Sequence, residues 1–295
     1  MRADTHNKSI LVTDAESDLL FLYGGADHAE KERIKLKGRP GFIYSANDKL
    51  YLNIDEDIVR LNADTLETED GHIAGGDVER ILLSQDRKLL YVLLSGADTV
   101  LMMDAETGEW IASGKAGSNP RDMKLDTDGK RLAIAGGDSN SVFVMDAETL
   151  ETQIEYPLGG NAVGCMFAGD TLLMLSESGD WEPEPLSLVS AAHENTGEFE
   201  RLFLLPNIPT CFAFGMNGML IGHMNGITMV NLQYREVTFR ININGLPDLI
   251  TPMQRFACYI DRLTGRVGVI DCFDPTLIAQ IRVPEPAGIA IVTRG

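Results

Sequence analysis

Cysteine is scarce in this chain, with four among 295 residues. That is too few for the disulfide scaffold that holds many small secreted domains together. No Cys-x-x-Cys pair and no Cys/His spacing suited to zinc occurs, so no metal site and no cofactor are expected. Long apolar runs are missing as well. No stretch reaches the roughly 18 uninterrupted apolar residues of a spanning helix, so no membrane insertion is expected. The first eight residues lack the apolar segment of a secretory signal, which points to a cytoplasmic location. A surface or periplasmic protein whose signal had been removed would read the same way.

Basic runs are absent too. Lysine and arginine number 25 against 44 acidic residues, a formal charge of −19, and they are scattered. A surface that tracks phosphates is therefore not expected, and nucleic acid is disfavoured as a partner. Catalytic signatures are equally sparse: there is no Gly-x-Ser-x-Gly elbow and no Ser/His/Asp order. The five histidines, His6, His28, His72, His193 and His223, are far apart, and His223 is expected in a loop. Asp126-Thr127-Asp128-Gly129 lacks the later ligands of a calcium loop and reads as a turn. The Gly-Gly pairs beginning at Gly24, Gly75, Gly136 and Gly159 follow apolar strands rather than opening helices, so they are turns and not phosphate loops.

What the chain does contain is a repeat. Leu89-Leu90-Tyr91-Val92 followed by Asp98 to Thr107 is matched by Arg131-Leu132-Ala133-Ile134 followed by Asn140 to Thr149, so that Asp104 recurs as Asp146. Self-similarity at about 40 residues marks a repeat architecture. Each unit reads as four short strands, a to d, with an Asp or Asn after strand c: Asn62, Asp104, Asp146, Asn231 and Asp271. A side-chain oxygen at that point accepts backbone N–H groups just ahead of it and fixes the reversal into strand d. Six complete units fit between residues 41 and 283. Ser9 to Thr13, Leu19 to Tyr23 and Arg33 to Lys37 supply strands b, c and d of a seventh, and Gly288 to Val292 supplies its missing strand a. The expectation is one all-β domain over residues 1–295, a seven-bladed β-propeller of four-stranded antiparallel blades. The C-terminal strand closes its ring by pairing with N-terminal ones.

The run Leu90-Tyr91-Val92 with Val100 to Gly108 resembles the YVTN-type propeller repeat, as does Pro120 ahead of Asp128-Gly129. The likeness is strong from Asp77 to Gly160 and fainter elsewhere. It implies the fold; its members include surface proteins, redox-enzyme subunits and lactonases, so it implies no single activity. The lactonase branch carries a His-Pro and an Asn-Glu where this chain has Leu83-Ser84-Gln85-Asp86 and Leu93-Leu94-Ser95-Gly96. That departure speaks against a lactonase.

In such a ring the d–a connections and b–c loops share one face. The connections would bring Arg39, Arg80, Arg121, Asp122 and Asp248 to the channel mouth, where guanidinium forks suit a small anionic ligand. The loops would set Asp55, Glu56, Asp138, Trp181 and Glu182 on a rim suited to a protein partner, with Trp181 as an aromatic anchor. The leading expectation is a non-catalytic binding or scaffold module. The alternative is a lactonase-like hydrolase of a small anion, which requires a carboxylate of raised pKa near Arg80 or Arg121. Cys165 and Cys211 read as core residues. Cys258 and Cys272 flank one turn, but free thiols are expected rather than a bond between them.

Overall fold

Strands b and c are apolar along nearly their whole length, whereas strands d alternate. Leu89–Leu94 and Thr99–Asp104 are almost continuously buried, while Trp110–Lys115 alternates between half-buried and exposed. Covering both faces of a strand requires neighbouring sheets on either side, and an alternating strand belongs at an edge. The computed structural model describes residues 8–178, 186–193, 197–215 and 218–293. Among them lie 28 strands in seven four-stranded sheets.

The first sheet holds β1 (Lys8–Asp14), β2 (Leu19–Gly24) and β3 (Glu30–Lys35), and the second holds β4 (Pro40–Ala46), β5 (Lys49–Ile54), β6 (Asp57–Asn62) and β7 (Thr68–Ile73). The third runs through β8 (Val78–Leu83), β9 (Leu89–Leu94), β10 (Thr99–Asp104) and β11 (Trp110–Lys115). The fourth has β12 (Asp122–Leu125), β13 (Arg131–Ala135), β14 (Ser141–Asp146) and β15 (Thr152–Pro157). β16 (Ala162–Ala168), β17 (Thr171–Glu177), β18 (Leu186–His193) and β19 (Glu198–Pro206) form the fifth. β20 (Pro209–Gly215), β21 (Gly218–His223), β22 (Gly226–Asn231) and β23 (Glu236–Asn242) form the sixth. The seventh holds β24 (Leu249–Met253), β25 (Phe256–Asp261), β26 (Arg266–Asp271) and β27 (Thr276–Arg282). The last strand, β28 (Pro286–Thr293), does not extend that sheet. It joins the first one in the order β28-β1-β2-β3, antiparallel to β1, with Ile10 opposite Ile291 and Val12 opposite Ile289. The architecture is a seven-bladed β-propeller whose ring closes through that pairing.

By contact density the chain divides into two compact units, residues 1–71 with 210–295, and residues 72–209. The first has cores around Leu11, Leu50 and Val292, around Ile10, Val267 and Ile289, and around Leu220 and Ile270. The second has cores around Leu93, Val100 and Leu132, and around Val144, Cys165 and Met174. In the second, the Tyr91 hydroxyl donates to the Ala147 carbonyl 2.9 Å away, tying two consecutive blades through the core.

The turn after strand c forms as the chemistry requires. Asp146 Oδ1 accepts the N–H groups of Glu148 and Thr149 at 3.0 and 2.9 Å, and Asp104 does the same for Glu106 and Thr107. Asn62, Asn231 and Asp271 repeat the motif. Just beyond it, strand d bulges against strand c in six sheets, for example between Met102 and Met103. A bulge adds a residue to one strand and sharpens its twist, so the outer strand is poorly suited to pairing with another chain.

Two readings of the sequence need correction. The outer strand of the first blade is Glu30–Lys35 rather than Arg33 to Lys37, because the ladder with β2 begins with Glu30 opposite Tyr23 and ends with Lys35 opposite Leu19. His223 is the last residue of β21 and is buried, not in a loop, with Nδ1 against the Met224 carbonyl and Nε2 against Thr228 Oγ1. Burial pushes its pKa down. Cys258 and Cys272 are both buried and unbonded. The register pairs Cys258 with Val269, and the two thiols belong to different core clusters.

Two outcomes follow. Ile289→Ala, at the closing strand, should cost about 3 kcal/mol in urea unfolding, the range for deleting a buried branched side chain. For Asp271, burial pushes the carboxyl up, but the Arg255 guanidinium and the Asp274 and Phe273 N–H groups outweigh it and hold it below its usual value. Its stabilisation is therefore present above the unfolded value near pH ~4 and is lost as pH falls through the folded one. Comparing acid unfolding of Asp271→Ala with the parent should show this pH-dependent increment gone.

Candidate functional site

On the unit of residues 72–209, the loops of three consecutive blades are stitched by amide and carboxylate side chains. Asp98, between β9 and β10, accepts the Asn119 backbone N–H at 2.8 Å. Asp138, between β13 and β14, takes the Asn119 side-chain amide on one oxygen at 3.3 Å and the Asn161 amide on the other at 3.0 Å. The Asn161 carbonyl in turn accepts the Glu177 N–H at 2.9 Å. Asn119 and Asn161 lie in d–a connections, whereas Asp98 and Asp138 lie in b–c loops, so both kinds of segment share this end of the unit. Gly137 makes the stitching possible: it sits at φ +47°, and a Cβ there would lie 1.9 Å from the Asn119 carbonyl oxygen. Only a residue without a side chain fits.

Arg121 is exposed at the entry to β12, near Glu177, which also feels the Asp138 charge. Partial burial raises the Glu177 carboxyl above its usual value; Arg121 pulls it down and the Asp138 charge pushes it up, and the net shift is upward. Glu177 was not anticipated from the sequence. It ends an apolar strand, and only its place at the mouth of the long b–c segment could have marked it.

Arg80 and Asp122 are not in connections, where the sequence placed them. Arg80 is in β8, because a bulge at Glu79 lets the strand begin earlier and sets Arg80 opposite Leu93. Asp122 opens β12 and is buried. Its Oδ1 faces Lys124 Nζ at 2.7 Å and Arg80 Nε at 3.4 Å, and Oδ2 lies 3.5 Å from the Cys165 N–H. Arg80 also donates to the Glu79 carboxylate at 3.0 Å. Burial, reinforced by the Asp122 charge, pushes the Cys165 thiol well above its usual pKa, so it stays protonated and unreactive.

In the unit of residues 1–71 and 210–295, Arg39 is ion-paired with Glu285, and its backbone N–H donates to Asp55 at 3.3 Å. Asp55 and Glu56 are exposed in the turn between β5 and β6. Asp248 accepts the Arg262 N–H at 2.8 Å. The expected set is thus divided between the two units; the structure pairs Arg80 with Asp122, and it sets Arg121 and Asp138 each near Glu177. Trp181 and Glu182 lie outside the described residues.

No protein-family model and no curated protein sequence matches this chain. Solved structures do. The crystal structure of a functionally unknown protein from Desulfotomaculum acetoxidans has a TM-score of 0.77 at 11% identity, over 97% of this chain and 99% of that one. Hydrazine synthase from Kuenenia stuttgartiensis gives 0.72 at 15% identity, over 86% and 95%. Dihydro-heme d1 dehydrogenase NirN in complex with DHE gives 0.69 at 10% identity, over 98% and 76%. The likeness shows the fold alone.

Among the described residues no group of three or more His, Cys, Asp or Glu is arranged to hold a metal. What the stitched loops offer is an exposed set of acceptors: carboxylates have no protons to give at neutral pH, and the amides of Asn119 and Asn161 have each spent a donor on Asp138.

In an NMR titration, Glu177 should ionise above its usual value, near ~4.3. Arg121→Ala should raise it further and Asp138→Asn should lower it. Because the folded value is raised, ionising Glu177 costs stability as pH rises through the window between the unfolded and folded values. Glu177→Gln should remove that loss.

Proposed function

We propose that the protein is a non-catalytic propeller of the YVTN type that binds a basic protein segment through its loop face. The supporting observation is the charge balance of the arginines expected to receive an anion. Arg39 is paired with Glu285, Arg80 with Asp122 and Glu79, and Arg121 stands near Glu177. Guanidinium groups already matched by carboxylates have little left for an anionic ligand, whereas Asp55, Glu56 and Asp138 remain exposed. With a chain charge of −19 behind them, these carboxylates favour capture of a cationic partner and speed it. Four unbonded, buried thiols are compatible with a reducing, cytoplasmic setting.

A second reading rests on Glu177 alone. A carboxyl raised by burial and a nearby like charge, next to an arginine, is the pairing a hydrolase of a small anionic lactone would use as acid–base group and anion anchor.

One titration series separates the two. A fluorescent oligo-arginine peptide should bind with an affinity that falls steeply with salt. Asp138→Asn and Glu177→Gln should each weaken it roughly twofold to fivefold, the worth of a partly exposed ion pair. Binding of 6-phosphogluconate instead, lost in Arg121→Ala, with lactone turnover lost in Glu177→Gln, would replace the first reading by the second.

A further inference from the structure

Two Asn-Gly dipeptides touch each other on the unit of residues 1–71 and 210–295, and the structure treats them differently. Asn225 completes the tight turn between β21 and β22, and Gly226 opens β22. Asn225 is at φ +63°, Gly226 stands opposite His223 in the ladder, and a Cβ on Gly226 would meet the His223 ring. The main chain of Asn225 is fixed from both sides: its N–H donates to the Gly245 carbonyl at 2.7 Å, and its carbonyl accepts the Ile243 N–H at 2.9 Å. Asn244-Gly245 has none of this restraint. Asn244 is exposed in a bend after β23 and its side chain is without a hydrogen bond among the described residues, as is the Gly245 N–H.

We propose that Asn244 is a site of spontaneous covalent modification, in which its side chain closes on the Gly245 nitrogen to a succinimide that opens to aspartate and isoaspartate. The Gly245 N–H gives its proton to solvent, and the nitrogen attacks Asn244 Cγ. The N–Cγ bond forms, the Cγ–Nδ2 bond breaks, and ammonia leaves with a proton from water. A second water then opens the ring. Attack at Cγ gives aspartate, and attack at the main-chain carbonyl gives isoaspartate. The net change is one water consumed and one ammonia released, with no oxidation or reduction.

Attack needs a nitrogen free of hydrogen bonds and a residue with no side chain in the way, and Gly245 supplies both. Position 245 cannot easily escape the pairing, because a Cβ there would lie 1.6 Å from Asp261 Oδ2. That carboxylate is itself held by the Thr264 N–H and hydroxyl. The product adds a negative charge on the connection that carries Asp248, and isoaspartate lengthens the main chain beside the carbonyl that holds Asn225. The modification does not depend on the binding reading above.

The test is peptide mapping by mass spectrometry after incubating the intact chain at mildly alkaline pH, alongside a urea-unfolded sample. In the folded chain, conversion at Asn244 should run about tenfold or more faster than at Asn225, which must first open locally. In urea the two should convert at similar rates, and Asn244→Gln should abolish the first signal while leaving the second. The proposal fails if folded Asn225 keeps pace with Asn244. It also fails if Asn244 stays intact over the time in which the unfolded chain converts.

Discussion

The pairing of β28 with β1 is the constraint on which the rest depends. A four-stranded blade has two edges, and an inner edge strand left without its neighbour exposes a row of unpaired N–H and C=O groups. The first blade obtains its inner strand from the far end of the chain, so residues as far apart in sequence as Lys8 and Thr293 share one hydrogen-bonded ladder. The pairing is also a packing event: Ile289 joins the core of Ile10 and Val267, while Ala290 and Val292 join the core of Leu11 and Leu50. Alternate residues of one strand thus serve two cores. A slip of one position would exchange their faces, which fixes the register.

Given that frame, the local chemistry of each blade has little freedom. The acceptor after strand c sets the turn, the turn sets where the bulge falls, and the bulge turns the outer strand toward solvent. One position in this turn shows the cost of the arrangement. Gly108 takes a left-handed conformation easily, but Leu66 and Leu150 hold the same place at φ +60° and +59°. A leucine is rarely left-handed. Both side chains are buried in their cores, so packing compensates for the local strain.

The repeat, the turn acceptors and the complementary chain ends were legible because each depends on spacing, which survives any rotation of side chains. The 42 residues from Asp104 to Asp146 need no knowledge of contacts, nor does a strand a that appears only after residue 286. Placement of the charged residues was less legible. Whether Arg80 lies in a strand or a connection turns on a one-residue bulge at Glu79, and a bulge leaves no mark on hydrophobic periodicity. The same holds for Glu177. Burial raises its pKa, and the two charges that tune it, Arg121 downward and Asp138 upward, come from another blade's connection and loop, 56 and 39 residues away in sequence. Pairings of that kind exist only once the sheets have formed.

The charge pattern carries the last step. In a chain with a surplus of acids, an arginine on the surface is drawn to whichever carboxylate is nearest, and folding selects positions where one is already fixed. Asp122 is such a position: buried, it would be costly without the Arg80 and Lys124 charges beside it. Those cations offset the charge of the carboxylate that opens β12. The surplus carboxylates are left on loops, where solvation costs them little and where they set the sign of the surface field. Where cations are paired with a buried carboxylate, as Arg80 and Lys124 are with Asp122, the exposed acids of the loops set the local charge.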